Sequence, residues 1–170
     1  MTIQTEAPAS AGIAYIAHQY TLNSDLVSRS IADIAPDKWF TQPCPESNHL
    51  MWVTGHALNT RSGVVLRLLG GQSKSYSDDL FKRGGKLVEP GKYPRPEEIR
   101  AAWTEVAKEL ANAFSKVSET TLAQPTPENN APTLDGTVSG LIAFFALHET
   151  YHVGQIGYLR KFLGYSQLVG

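Results

Sequence analysis

The sequence has little cysteine: Cys44 is alone among 170 residues, so no disulfide can form within the chain. The lack of a possible pair favours a reducing, cytoplasmic environment. The first ten residues contain neither a basic segment nor an apolar run, so they do not resemble a secretory signal and are expected to form a flexible tail. Long apolar runs are also missing, since the longest, from Val138 to Leu147, is too short to cross a bilayer.

An excess of charge of either sign is absent as well, because 15 basic and 16 acidic side chains leave a net charge of -1. A protein that binds nucleic acid neutralises phosphates with a basic face, and no stretch of this chain supplies one. Neither nucleic acid nor a membrane is therefore an expected partner. A hydrophobic content of 42% and the chain length fit one globular domain, which we place at residues 11–170.

Four segments carry apolar residues at three- and four-residue spacing, which is the pattern of helices packed through one face. They span about 11–35, 49–69, 96–117 and 137–163. Asn48 is the expected N-cap of the second segment and Gly70 its C-terminal break, while Pro96 suits the first turn of the third. The fourth is apolar on nearly every side from Leu141 to Leu147 and is expected to be the most buried.

The connections between these segments indicate how the helices are ordered. About a dozen residues join the first two helices and about fifteen join the last two, whereas some 25 separate the second from the third. A helix of twenty residues extends about 30 Å, and a connection of this length can cross it. We therefore predict an all-α four-helix bundle in up-down-down-up order, with a long crossover between helices 2 and 3.

Two histidines, His148 and His152, lie four residues apart in the fourth segment. Residues at this spacing share a helix face with Cβ atoms roughly 5–6 Å apart, so both imidazoles can reach one ion at about 2.0–2.1 Å. Imidazole ligands suit zinc, nickel, copper or iron better than magnesium or calcium. Glu149 points about 100° away from His148 and is not an expected ligand.

The residues from His148 to His152, HETYH, also satisfy HExxH, the zinc-protease pattern in which the glutamate is the general base. Such proteases take a third ligand downstream, but no His, Asp or Glu occurs in residues 153–170. The extended pattern has a glycine three residues after the second histidine, where this chain has Gln155. A protease is therefore a weak hypothesis.

A third ligand would have to come from upstream, where three histidines are available. His56 lies about seven residues into the second helix and His152 about eleven from the end of the fourth, so antiparallel helices would bring them to one level. His49 shares the face of His56 but lies two turns, about 10 Å, away, and is expected at a helix end or at the mouth of the site. His18 falls off the apolar seam of the first helix and is expected in solvent.

The sequence resembles the DinB/YfiT-like superfamily of four-helix bundles in two motifs. The stretch from His148 to Gln155, HETYHVGQ, is similar to the C-terminal HxxxHxGQ signature of that superfamily. Trp52-x-x-x-His56 is similar to its second-helix motif, in which one histidine supplies the remaining ligand. The resemblance covers the helical order from about residue 11 to 164. It implies one divalent transition metal, zinc or nickel, bound by His56, His148 and His152.

The resemblance also implies an activity. Some members of the superfamily are metal-dependent thiol S-transferases or thiol-dependent isomerases that use low-molecular-weight thiols such as bacillithiol or mycothiol. Three neutral ligands leave an open position at the metal and favour ionisation of a thiol there, so we expect a metal-dependent transferase that activates a small thiol. Cys44, which lies between two prolines, is not the expected thiol. A non-catalytic metal- or ligand-binding bundle and a metal-dependent hydrolase stay open as alternatives, with a homodimer as a candidate assembly.

Four residues near the expected triad have candidate roles of their own. Gln155 follows His152 by three residues and is a candidate substrate contact, with a helix–helix hydrogen bond as the alternative. Tyr151 is a second candidate for substrate binding, although a tyrosine at such a position is more often a core residue. Gly154 and Gly157 most simply permit neighbouring helices to pack closely.

Overall fold

A computed structural model describes residues 11–126, 133 and 135–168 of the protein. Within these ranges no strand forms, and one isolated bridge joins Pro125 to Thr137. The predicted all-α class is therefore confirmed, whereas the expected tail at residues 1–10 lies outside the described residues. The helices are α1 Ala11–Ile31, α2 Leu50–Asn59, α3 Leu66–Leu68, α4 Asp78–Phe81, α5 Pro96–Phe114, α6 Glu119–Leu122 and α7 Val138–Phe162.

Helices α2 and α3 are continuous, because a π-helical turn, Thr60–Val65, joins them. Gly70 then ends the segment with a φ of 80°, a left-handed conformation that glycine adopts without steric cost. The second predicted helix thus corresponds to α2, the π-helical turn and α3 together. No helix in the described part of the chain has both the length and the apolar character needed to cross a bilayer.

Helix α1 is shorter than predicted, since it ends at Ile31 rather than near residue 35. The side chain of Arg100 on α5 donates hydrogen bonds to the carbonyl oxygens of Ile31, at 2.8 Å, and of Ile34, at 2.5 Å. Carbonyl groups at a helix end have no hydrogen-bond partner within the helix. Because Arg100 donates to these groups, a further helical turn is not needed to satisfy them. A residue of another helix therefore satisfies the carbonyl groups at this boundary.

The most buried helix is α2, and the prediction that α7 would be so is wrong. Every residue from Leu50 to Leu58 is buried except His56, which is partly exposed. Helix α2 contacts α4, α5 and α7, so neighbouring elements cover it on several sides. On α7 the apolar stretch turns one side to solvent, where Leu147 is 66% exposed.

Hydrogen bonds between the long helices show how neighbours run. Along α1 and α7 they pair Gln19 with Thr150 and Ser30 with Arg160, so the residue numbers rise together and these helices run the same way. Between α1 and α5 the indole of Trp103 donates to the carbonyl of Ser24, whereas Arg100 reaches Ile31, so these two run oppositely. The complete up-down-down-up order stays a prediction.

His49, and not the predicted Asn48, is the N-cap of α2. Its Nδ1 accepts a hydrogen bond of 3.1 Å from the backbone N–H of Trp52. The ring is buried against Phe40 and Tyr93, with centroid distances of 5.4 and 5.2 Å. His49 is therefore a helix-end residue, as one of its two predicted roles required, and burial lowers the pKa of its imidazole to about 4.

This cap is expected to make folding stability depend on pH. Below pH 6.5, the pKa of this histidine in the unfolded chain, the unfolded chain binds a proton at His49, whereas the folded chain does so only near its pKa of about 4. The contribution of His49 to folding stability is therefore full above pH 6.5 and falls as the pH drops. The loss from this group is expected to reach about 2 kcal/mol at pH 5. Urea unfolding of the metal-free protein at pH 7.5 and pH 5 measures it.

The matched control is His49→Asn, because asparagine caps a helix without titrating in this range. Burial also lowers the pKa of His56, His148 and His152, so the quantity to compare is the difference in pH dependence between the two proteins. The His49→Asn protein should lose less stability between pH 7.5 and pH 5. Equal losses would contradict this role for His49.

Candidate metal centre

Three histidines predicted as ligands come together between α2 and α7. The Nε2 atoms of His56 and His148 lie 3.2 Å apart, and those of His148 and His152 lie 3.1 Å apart. Among the described residues, these three form the one group that could hold a metal ion, with all their ligand atoms within 4.8 Å of one another. The i, i+4 spacing on α7 supplies two of the rings, and the middle of α2 supplies the third.

Neighbouring groups set which ring nitrogen carries the proton. Nδ1 of His56 lies 2.7 Å from the carbonyl oxygen of Phe81, and Nδ1 of His152 lies 2.7 Å from Oε1 of Gln155. Both oxygens accept, so both Nδ1 atoms donate and each neutral ring presents the lone pair of Nε2 to the cluster. The indole of Trp52 stacks on His56, 4.8 Å away and inclined by 6°, and further fixes that ring.

Two of the three separations between the Nε2 atoms match those expected around a transition-metal ion. Nitrogens at about 2.0–2.1 Å from a tetrahedral zinc ion lie about 3.3–3.4 Å apart, close to the two Nε2 separations seen here. Nε2 of His56 and Nε2 of His152 each point a lone pair at Nε2 of His148. Without an ion, a single proton on Nε2 of His148 could form a hydrogen bond with only one of them. A cation satisfies all three, and a hydrogen bond from Nδ1 to an oxygen is the usual outer support of a metal-binding imidazole.

The electrostatic surroundings keep the three rings neutral. Burial, followed by the neighbouring His152, His56 and the charge of Arg83, lowers the pKa of His148 to about 4. Burial is also the main cause that lowers the pKa of His56 and of His152. Neutral imidazoles are the form that binds metal, so protons compete little with an ion at neutral pH.

The two predicted substrate contacts take distinct places. Gln155 bridges two residues of α7, accepting from His152 through Oε1 and donating from Nε2 to the hydroxyl of Tyr151 at 3.2 Å. Tyr151 is 63% exposed, so the alternative that it is a core residue is wrong. Its ring leans on His152 with the centroids 5.4 Å apart, and its hydroxyl faces outward beside the triad.

The expectation that Gly154 and Gly157 permit close packing of helices is wrong for this chain. A Cβ atom at either position would meet no atom within 4 Å. The close approach occurs instead on α2, where a Cβ on Gly55 would lie 2.6 Å from Cδ1 of Phe81. Gly55 thus lets Phe81 approach α2 closely enough for its carbonyl to reach His56.

Glu149 faces away from the triad, as predicted, and is 2% exposed. Its two carboxylate oxygens accept from Nε and Nη2 of Arg61, each at 2.8 Å. A glutamate held in this way is not available as the general base of the HExxH pattern. A signal for this pair is present in the sequence, because Arg61 and Glu149 are opposite charges within largely apolar helices.

Two grooves approach the triad from outside. One of about 330 Å³ is lined by His56 together with Phe81 and Lys82. Another of about 360 Å³ has Gln155 and the exposed Cys44 on its wall. The other two histidines stay apart from the triad: His49 caps α2, and His18 is exposed on α1.

A helical bundle with three converging, neutral histidines between two of its long helices belongs to the class of bundles that can hold a metal ion in this position. The sequence profile of the DinB superfamily matches residues 19–156, a span that includes His56, His148 and His152. The chain therefore belongs to the DinB superfamily, as its motifs predicted. No curated protein matches it at a significant level.

Proposed function

We propose that the protein binds one divalent transition metal, zinc or nickel, through Nε2 of His56, His148 and His152, and that it transfers a small thiol to an electrophile. The observation that carries the proposal is the convergence of three Nε2 lone pairs, two of them fixed by hydrogen bonds at Nδ1. Because all three ligands are neutral, the ion would keep its full charge and an open position.

Each residue around the cluster has a defined part in this chemistry. When bound, the ion supplies Lewis acidity that favours the thiolate over the thiol at neutral pH. Phe81 and Gln155 orient the rings of His56 and His152 through their oxygen atoms. The positive charge of Arg83, which acts on His56 and His148 through space, would also favour an anionic sulfur bound there.

In the transfer itself, the thiol proton leaves to solvent and the sulfur lone pair forms a bond to the electrophilic carbon. The bond from that carbon to its leaving group breaks, and the leaving group departs with the electron pair. Tyr151 and Gln155 lie where they could contact the thiol or the electrophile beside His152. No oxidant or further reactant is required.

Hydrolysis is the less favoured alternative, because it needs a general base beside the ion. Glu149, the carboxylate nearest in sequence to the histidines, is buried and paired with Arg61. A non-catalytic metal-binding bundle is the second alternative, and it differs from the proposal in leaving a thiol unreactive.

The test is a screen of bacillithiol, mycothiol, glutathione and free cysteine against a bimane-type electrophile. At least one thiol should react above the background rate, and the reaction should stop on chelation and return with zinc or nickel. Cys44→Ser is the matched control, because the transferred sulfur is expected to come from the small thiol. If the metal-loaded protein accelerates none of these reactions, the non-catalytic alternative becomes the better description.

A further inference from the structure

Among the described residues Arg61 is the most deeply buried charged one, and it contacts α1, α5 and α7. Its side chain is 0% exposed and forms the two hydrogen bonds to Glu149 on α7. Nη2 also donates to the hydroxyl of Ser24 on α1, at 3.1 Å. The guanidinium lies 3.9 Å from the ring centroid of Trp103 on α5. One side chain therefore links the π-helical turn to α1, α5 and α7.

The carboxylate of Glu149 is supported from the other side. Asn23 on α1 donates to its Oε1 at 3.2 Å and to the hydroxyl of Thr150 at 3.1 Å. The carboxylate thus accepts three hydrogen bonds in a buried position, which fixes its place on α7. Both partners of the pair are set by contacts from several helices.

This ion pair joins the same two helices as the three histidines. Along α2 and the π-helical turn Arg61 follows His56 by five residues, and on α7 Glu149 lies between His148 and His152. The π-helical turn Thr60–Val65 contains Arg61, and such turns occur frequently at functional sites. The histidine cluster and the ion pair are therefore two adjacent links between one pair of helices.

We infer that the Arg61–Glu149 pair positions α2 against α7 so that His56 meets His148 and His152 at metal-binding distance. The inference rests on the proposed metal binding. A guanidinium and a carboxylate that share two parallel hydrogen bonds fix distance, rotation and plane together, whereas an ammonium group fixes only a distance. Arg61 is thus a positioning residue: it has no contact with the ion and acts through the placement of the rings.

A metal site needs such a positioning contact because it tolerates only small displacements of its ligand atoms. Ligand nitrogens must come within a few tenths of an ångström of their places, and two of the three stand on a different helix from the third. Apolar packing between helices leaves room for small shifts, because its energy depends weakly on direction. A buried, bidentate pair next to the site removes that freedom.

The experiment compares Arg61→Lys with Leu110→Ala, a cavity-forming change in the buried face of α5 that lowers stability without altering the pair. Zinc affinity is measured by competition with a chromophoric chelator, and the ligand geometry by the visible absorption of the cobalt(II)-substituted protein. Arg61→Lys is expected to weaken zinc binding about 10–100-fold and to shift the cobalt bands. Leu110→Ala should keep both close to wild type while circular dichroism shows both variants folded.

Each result decides between a positioning role and a purely stabilising one. Wild-type zinc affinity and cobalt spectrum in folded Arg61→Lys would overturn the inference and leave metal binding intact. Failure of the wild-type protein itself to bind zinc would overturn the proposed function as well. If Arg61→Lys does not fold, Glu149→Gln replaces it, because the amide offers one acceptor oxygen for the two donors and keeps the volume.

Discussion

The double variant His148→Ala/His152→Ala is expected to purify with almost no zinc or nickel, whereas the wild type should hold close to one ion per chain. The double change removes two of three Nε2 atoms and leaves His56, which alone gives no chelate. Metal that binds the folded state adds stability, about 2.7 kcal/mol at a free concentration of 100 times Kd. For a chain of this size that corresponds to a rise in Tm of about 5–10 °C.

Elemental analysis of the purified proteins and thermal melts with and without added zinc measure both effects. His18→Ala is the matched control, since His18 is exposed on α1 and away from the triad. It should keep the full metal content and the full rise in Tm. Equal metal content in wild type and the double alanine variant would show that another group binds the ion.

Gly55→Ala is expected to destabilise the protein by about 3 kcal/mol, at the upper end of the range for overpacked cores. The added Cβ would lie 2.6 Å from Cδ1 of Phe81 and closer to other atoms of that ring, which is 0% exposed. Phe81 must move, and its carbonyl moves with it away from Nδ1 of His56. Zinc affinity should therefore fall together with stability.

Gly154→Ala is the matched control for Gly55→Ala, because it makes the same substitution within a helix of the same site. Its Cβ would meet nothing within 4 Å. Alanine is favoured over glycine in a helix by up to about 1 kcal/mol, so this variant should be more stable than the wild type. Urea unfolding measures the change in folding stability of each variant and so distinguishes a loss from a gain. A stable Gly55→Ala protein would show that α4 can shift at little cost.

Local patterns in the sequence were sufficient to place the four long helical segments and part of the site. The position of His152 four residues after His148 decides that both rings share one face of α7, since this follows from helix geometry alone. Thr137 capping α7 and Pro96 opening α5 depend on local backbone chemistry in the same way. The HxxxHxGQ signature identified the superfamily, which the profile match over residues 19–156 confirms.

Contacts between distant segments decided what local patterns could not. At the end of α1 Arg100 from α5 donates to the free carbonyl groups, and at the start of α2 the capping residue His49 packs against Tyr93. Neither contact can be predicted from the local sequence, because each partner lies about 40 or more residues away in the chain. Helix ends are therefore the part of the fold most open to correction by packing.

Glu149 shows most clearly which features follow from the local sequence and which depend on distant contacts. From the sequence alone it completes an HExxH pattern, and its direction on α7 follows from the helical turn. Its partner does not, since Arg61 reaches it only through a π-helical turn 88 residues earlier in the chain. The sequence by itself determined the long helical segments and the shared face of His148 and His152, and its family resemblance predicted His56 as the third ligand. The tertiary structure decided that His56 reaches the other two rings and that Arg61 pairs with Glu149, because both depend on how α2 packs against α7.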